Sequence, residues 1–140
     1  MSETNKAIYS RAWHELMNQR NLDIVDELFA PNYVRHDPHY PMSGRQALKQ
    51  FTIALHHGFS DMRFTIDDLI AAGGKVVNRF TLTCTHTGEF MGLQSSGRRL
   101  TLTGLTLGRI AHSHIVEEWG GTDWLSWWQQ LGLVSESVSA

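Results

Sequence analysis

The sequence is short of the features by which many function classes announce themselves. Cys84 is its one cysteine, so an intrachain disulfide is excluded and a reducing compartment is expected. No apolar run approaches the roughly twenty residues that cross a bilayer. The N-terminal MSETNKAIYSR also lacks the apolar core of a secretion signal, and a cytoplasmic location is expected. Twelve basic residues against 14 acidic ones leave a formal net charge of -2, with no basic run, which argues against nucleic-acid and anionic-membrane partners. Nucleophile motifs and dinucleotide fingerprints are missing. The glycine-containing loop 88–97 carries no lysine and leads into no helix, so it is not read as a phosphate cradle.

What is there reads as one domain, residues 1–140, with 41% hydrophobic content and enough length for a real core. Residues 4–19 have helical spacing, with Ile8, Ala12 and Leu16 on one stripe beside Tyr9, Trp13 and Met17. Asn21 is expected to cap a short second helix ending before Pro31. A short β-prone piece, Asn32 to Asp37, follows. A Ser43/Gln46 capping box then opens a third helix that runs to Gly58. Beyond that point the pattern changes to strands. Met62–Ala71 alternates with a break at Asp67-Asp68, and Gly73-Gly74 makes a two-residue hairpin. Lys75–Thr87 places Val76, Phe80, Leu82, Cys84 and His86 on one face. Leu100–Ile110 switches apolar parity near Gly104, which predicts a bulge. Trp124–Leu131 is a last helix, and residues 135–140 form a polar tail expected to fray. Helices first and about four long antiparallel strands afterwards define an α+β chain, a curved sheet with a cavity under its N-terminal helices.

The stretch Ile115–Trp124 organises the candidate chemistry. Alternation puts Ile115, Glu117 and Trp119 on one strand face, and Gly120-Gly121 ends the strand. Asp123 follows among indoles. A carboxylate in apolar surroundings is an acid/base candidate because burial raises its pKa; equally, Asp123 is well placed to cap the last helix. His86 and His36 are the candidate polar partners, each also readable as a satisfied core histidine. Trp13, Phe51, Phe80, Leu82, Trp119 and Trp124 are the candidate walls, with no lysine or arginine among them. Such a lining suits a small, flat, apolar, carbonyl-bearing ligand. His112-x-His114-x-x-x-Glu118 has cupin metal spacing, but the helical start and the lack of a second histidine motif oppose that reading. No metal is expected. The largely uncharged, β-prone strand face of Val77, Thr81, Thr83 and Thr85 points to a homodimer.

Several motifs together resemble the SnoaL-like ester cyclase (polyketide cyclase) family of the NTF2-like, cystatin-like superfamily. They are Leu28-Phe29-Ala30-Pro31-Asn32-Tyr33-Val34-Arg35-His36, Thr85-His86-Thr87-Gly88, and Glu117-x-Trp119-x-x-x-Asp123 followed by Gln130-Leu131-Gly132. The similarity extends over residues 5–133. It implies an NTF2-like cone and a cofactor-free enzyme that closes rings by intramolecular aldol-type condensation, with Asp123 as acid/base and His86 or His36 assisting at the enolate oxygen. The same resemblance admits a ketosteroid-isomerase-like isomerase, a dehydratase, or a non-catalytic small-molecule-binding module.

Overall fold

Strand alternation governs the architecture of the second half. In the computed structural model, which describes residues 2–134, the elements are α1 (Ser2–Met17), α2 (Asp23–Leu28), β1 (Phe29–His36), β2 (Met42–Ser43) and α3 (Arg45–Gly58). They are followed by β3 (Arg63–Ala72), β4 (Lys75–Thr85), β5 (Arg99–Ala111), β6 (His114–Thr122) and α4 (Trp124–Gln130). All six strands belong to one sheet in the order β2-β1-β6-β5-β4-β3. Neighbours run antiparallel except β1, which lies parallel to β6. The sheet curves without closing, and the helices cover its inner face. No helix among the described residues is long and apolar enough to cross a membrane.

The sheet therefore has six strands, two of them before α3. β1 begins at Phe29, earlier than expected, and includes Pro31. Its pairing with β6 shifts register between Phe29 and Val34, so the ladder tolerates a residue without an N–H there. The caps also differ from expectation. Leu22 heads α2 without a side-chain bond, and Asn21 Nδ2 donates to Glu15 at 3.0 Å. Gly44, at φ 86°, heads α3, while Ser43 lies in β2. The expected tail at residues 135–140 lies outside the described residues.

The β3–β4 hairpin turns at Gly73 and Gly74, with φ 56° and 77°, values that suit glycine at a primed turn. β3 runs through Asp67-Asp68 with a register shift between Ile66 and Asp68. Along β4, Val76, Phe80, Leu82 and Cys84 are buried as expected, and Asn78 is buried with them. β5 pairs with β4 straight through Gly104, with no bulge. The parity change is instead one of chemistry, since Thr106 faces inward and Leu105 is 54% exposed on the outer face.

The irregularity that matters lies in β6. Ile110 pairs with Ile115, but Arg109 pairs with Glu117, so Val116 is an extra residue and the face reverses across it. Ile115 points inward, then Glu118, which is fully buried, while Glu117 and Trp119 turn outward. The continuous Ile115-Glu117-Trp119 face expected from alternation is thus broken.

Candidate active site

The cavity lies between the inner face of the sheet and helices α1 and α3, with α4 at one side. Its walls are mostly apolar and aromatic and include Trp13, Phe51, Phe80, Leu82 and Trp124, around a space that opens to solvent at the mouth. These are five of the six expected wall residues. The sixth, Trp119, lies on the outer face and stacks on His36 with ring centroids 5.4 Å apart, because the bulge at Val116 turned it outward.

Three inward positions of the sheet leave room for this arrangement. A Cβ at Gly108 would lie 2.6 Å from the Tyr9 ring. One at Gly104 would lie 2.8 Å from Phe80. One at Gly120 would lie 2.8 Å from Arg35 and 2.9 Å from Asp37. The missing side chains are what allow a tyrosine, a phenylalanine, an arginine and an aspartate to pass close to the sheet.

The polar part of the site is one connected strip. Glu118, wholly buried, accepts from four groups. They are the Tyr9 hydroxyl, the Tyr33 hydroxyl at 2.6 Å, Trp13 Nε1 at 3.2 Å and Arg35 Nη1 at 3.2 Å. A buried carboxylate is tolerable only with such pairing. Burial first, and the Glu118 charge second, raise the pKa of both Tyr9 and Tyr33, so these phenols keep their protons. Burial opposes the Arg35 charge, yet Glu118 and the two tyrosines hold the guanidinium protonated more firmly than usual. Asn78 Nδ2 extends the strip by donating to Tyr9 Oη at 2.7 Å.

Asp37 stands on the cavity wall just beyond β1. Its Oδ1 accepts the amides of His39 at 2.9 Å and Tyr40 at 3.1 Å, and its Oδ2 accepts Trp124 Nε1 at 3.0 Å. Burial pushes its pKa up, but Trp124, the two amides and Arg35 together outweigh that and hold it below the usual aspartate value. The cavity wall therefore carries an ionised carboxylate beside a cation. The expected wall had no arginine; Arg35 lines it, with its charge already engaged by Glu118.

The three residues expected to supply the chemistry do not meet in this cavity. Asp123 is exposed, and its Oδ1 accepts the Ser126 amide at 3.1 Å as the cap of α4. His36 is on the outer face, its Nε2 2.6 Å from Glu117, which also accepts from Arg109. His86 is buried against Phe59, with ring centroids 5.2 Å apart. Its Nδ1 accepts the Ser96 amide at 3.2 Å, away from the cavity wall. His112 and His114 flank the β5–β6 turn while Glu118 is buried inside, so the cupin-like trio does not assemble. Among the described residues no three metal-ligating side chains cluster.

Residues absent from the sequence-based set are Tyr9, Tyr33, Arg35, Asp37, Asn78 and Glu118. For Asn78 a signal existed: it is an amide on a strand face otherwise built of Val76, Phe80 and Leu82. For Arg35 the signal was its alternation with His36 on β1. Glu118 was hidden by the bulge.

A six-stranded open cone over a buried polar strip defines an NTF2-like α+β cavity protein. The chain belongs to the SnoaL-like polyketide cyclase family, whose model matches residues 7–131. No curated protein is significantly similar to it in sequence. Among solved structures, a protein from Acidithiobacillus ferrooxidans named as a polyketide cyclase is 29% identical, with 92% of this chain and 94% of that one covered and a TM-score of 0.82. IdmH from Streptomyces antibioticus, named as a polyketide cyclase, is 28% identical over 91% of this chain and 98% of that one, with a TM-score of 0.77. AclR from Streptomyces galilaeus, named as a hydroxylase, shares the fold with a TM-score of 0.86 at 22% identity, covering 99% of this chain and 87% of that one.

Proposed function

We propose that the protein is an acid/base enzyme that closes a ring in a flat, neutral, carbonyl-bearing small molecule by intramolecular aldol-type condensation. The observation that carries this reading is the pairing of an apolar, aromatic cavity with one ionised carboxylate, Asp37, on its wall beside Arg35. Asp37 takes a proton from carbon, the enolate oxygen lies toward the Arg35 cation, and the enolate carbon bonds to a second carbonyl carbon of the same molecule. The electron pair of that carbonyl becomes an alkoxide, to which the protonated Asp37 returns its proton. A carboxylate held below its usual pKa is a weak base, so the substrate carbon must be acidified by two flanking carbonyls. Confinement in the cavity supplies the orientation that ring closure needs. Every step uses groups of this chain.

The test is deuterium wash-in at the acidic carbon of an aromatic β-keto ester in deuterium oxide, read by mass spectrometry. Asp37→Asn should slow exchange by roughly 10² or more. Asparagine caps a helix about as well as aspartate, so Asp123→Asn should leave stability and exchange unchanged. Loss of exchange in Asp123→Asn with retention in Asp37→Asn would return the acid/base role to Asp123. Absence of exchange with tight binding would make the protein a binding module.

A further inference from the structure

The direction of every hydrogen bond along the buried strip is forced, and it ends at an unpartnered atom. Glu118 offers only acceptors, so the single Tyr9 proton is directed to it. The Tyr9 oxygen must then accept from Asn78, which fixes the amide nitrogen of Asn78 toward Tyr9 at 2.7 Å. Turning that amide over would set two oxygen lone-pair clouds against each other at hydrogen-bond distance, and so the network itself assigns the orientation. Asn78 Oδ1 is left over. It is buried without a partner among the described residues, on a side chain that is 2% exposed and forms part of the cavity wall. A buried acceptor without a donor is costly.

We infer that Asn78 is a specificity-determining residue whose Oδ1 accepts a hydroxyl proton from the ligand, so that the cavity selects phenol- or enol-bearing molecules over their hydroxyl-free counterparts. The inference rests on the cavity reading above and deepens it by naming a substrate class. Because turning the amide would break its bond to Tyr9, Oδ1 keeps its place, and a ligand carbonyl set against it would face oxygen. The ligand is therefore oriented hydroxyl toward Asn78 and activated carbonyl toward Arg35.

Equilibrium dialysis of the full chain against 6-hydroxy-2-acetonaphthone and against 2-acetonaphthone tests this. Burial of apolar surface alone favours the compound without the hydroxyl, since a hydroxyl must be stripped of water. The expected result is the reverse, with the hydroxylated ketone about tenfold tighter, the value of one well-made buried hydrogen bond. Asn78→Leu should abolish that preference while still binding 2-acetonaphthone. Tyr9→Phe, which frees the amide to turn, should reduce it too and serves if the leucine variant does not fold. Equal or weaker binding of the hydroxylated ketone by the wild type, or a preference that survives in both variants, overturns the inference and leaves the cavity reading standing. Failure of the wild type to bind either ketone overturns the cavity reading, and the inference with it.

Discussion

Arg35 and Asp37, two residues apart at the end of β1, both press on the same bare backbone, that of Gly120. A Cβ there would stand 2.8 Å from Arg35 Nη2 and 2.9 Å from Asp37 Oδ2. The spacing of the cation and the carboxylate on the cavity wall thus depends on a side chain that is absent from β6.

Gly120→Ala should accordingly act on the site without altering the strand. Overpacking of this kind costs about 1–3 kcal/mol, and the displaced groups are the two proposed to handle the enolate and the proton. The expected outcome is a folded protein with a moderately lower Tm and deuterium exchange reduced well beyond that loss. Unchanged exchange would place the chemistry elsewhere.

Glu118 is the acceptor on which Tyr9, Tyr33, Trp13 and Arg35 all converge. Glu118→Leu leaves a buried guanidinium uncompensated, and breaking such a pair typically costs about 3–5 kcal/mol. Urea unfolding should show that loss. Glu117→Leu, on the outer face, should show far less, and the contrast between adjacent glutamates checks the bulge at Val116.

Acid should weaken the fold in two stages. Burial, with the nearby Arg20 charge, outweighs the Met17 carbonyl and holds the His56 imidazole below the usual histidine value. Unfolded, it takes up a proton near pH 6.5, roughly. The unfolded chain binds more protons in that window, so stability is whole above about pH 6.5 and falls as the pH drops toward the folded value. Asp37 is likewise lower in the fold; its contribution is whole above about pH 4, the unfolded value, and disappears as the pH falls through the folded one. His56→Gln should remove the upper stage only, which urea melts across the pH range will show.

The outer face carries an apolar row that crosses four strands. Ile70 pairs with Val77, Val77 with Leu107, and Leu107 with Trp119, and Ile70, Val77 and Trp119 are 66%, 37% and 37% exposed. Such a row invites a two-fold partner. Light scattering should give twice the chain mass of 15.9 kDa, and Leu107→Glu should return the monomer. A wild-type monomer at micromolar concentration would refute this.

Much of the fold was legible because period-two alternation is a strong signal in β4, where Val76 through Cys84 declare one face, and because Gly73-Gly74 can hardly be anything but a turn. The candidate site was legible only in its apolar wall. Trp13, Phe51, Phe80, Leu82 and Trp124 are large and regularly spaced, so burial followed from pattern. Asp37 and Arg35 escaped because their inward placement depends on strand β1, whose start was obscured by Pro31. Glu118 escaped because a bulge carries no local signature in Ile115-Val116-Glu117-Glu118; which glutamate turns inward is decided by pairing with Arg109 and Ile110 across the ladder.

The bulge confines the tolerance of β6 for a change in length to one place. Deleting Val116 would straighten the ladder and still leave Arg109 opposite Glu117 and Gly108 opposite Glu118, so inside and outside would be kept. A one-residue deletion between Glu118 and Thr122 would instead slide the residues after the cut by one pairing and reassign their faces together. Lineages carrying this strand would be expected to vary in count at the bulge and nowhere else along it.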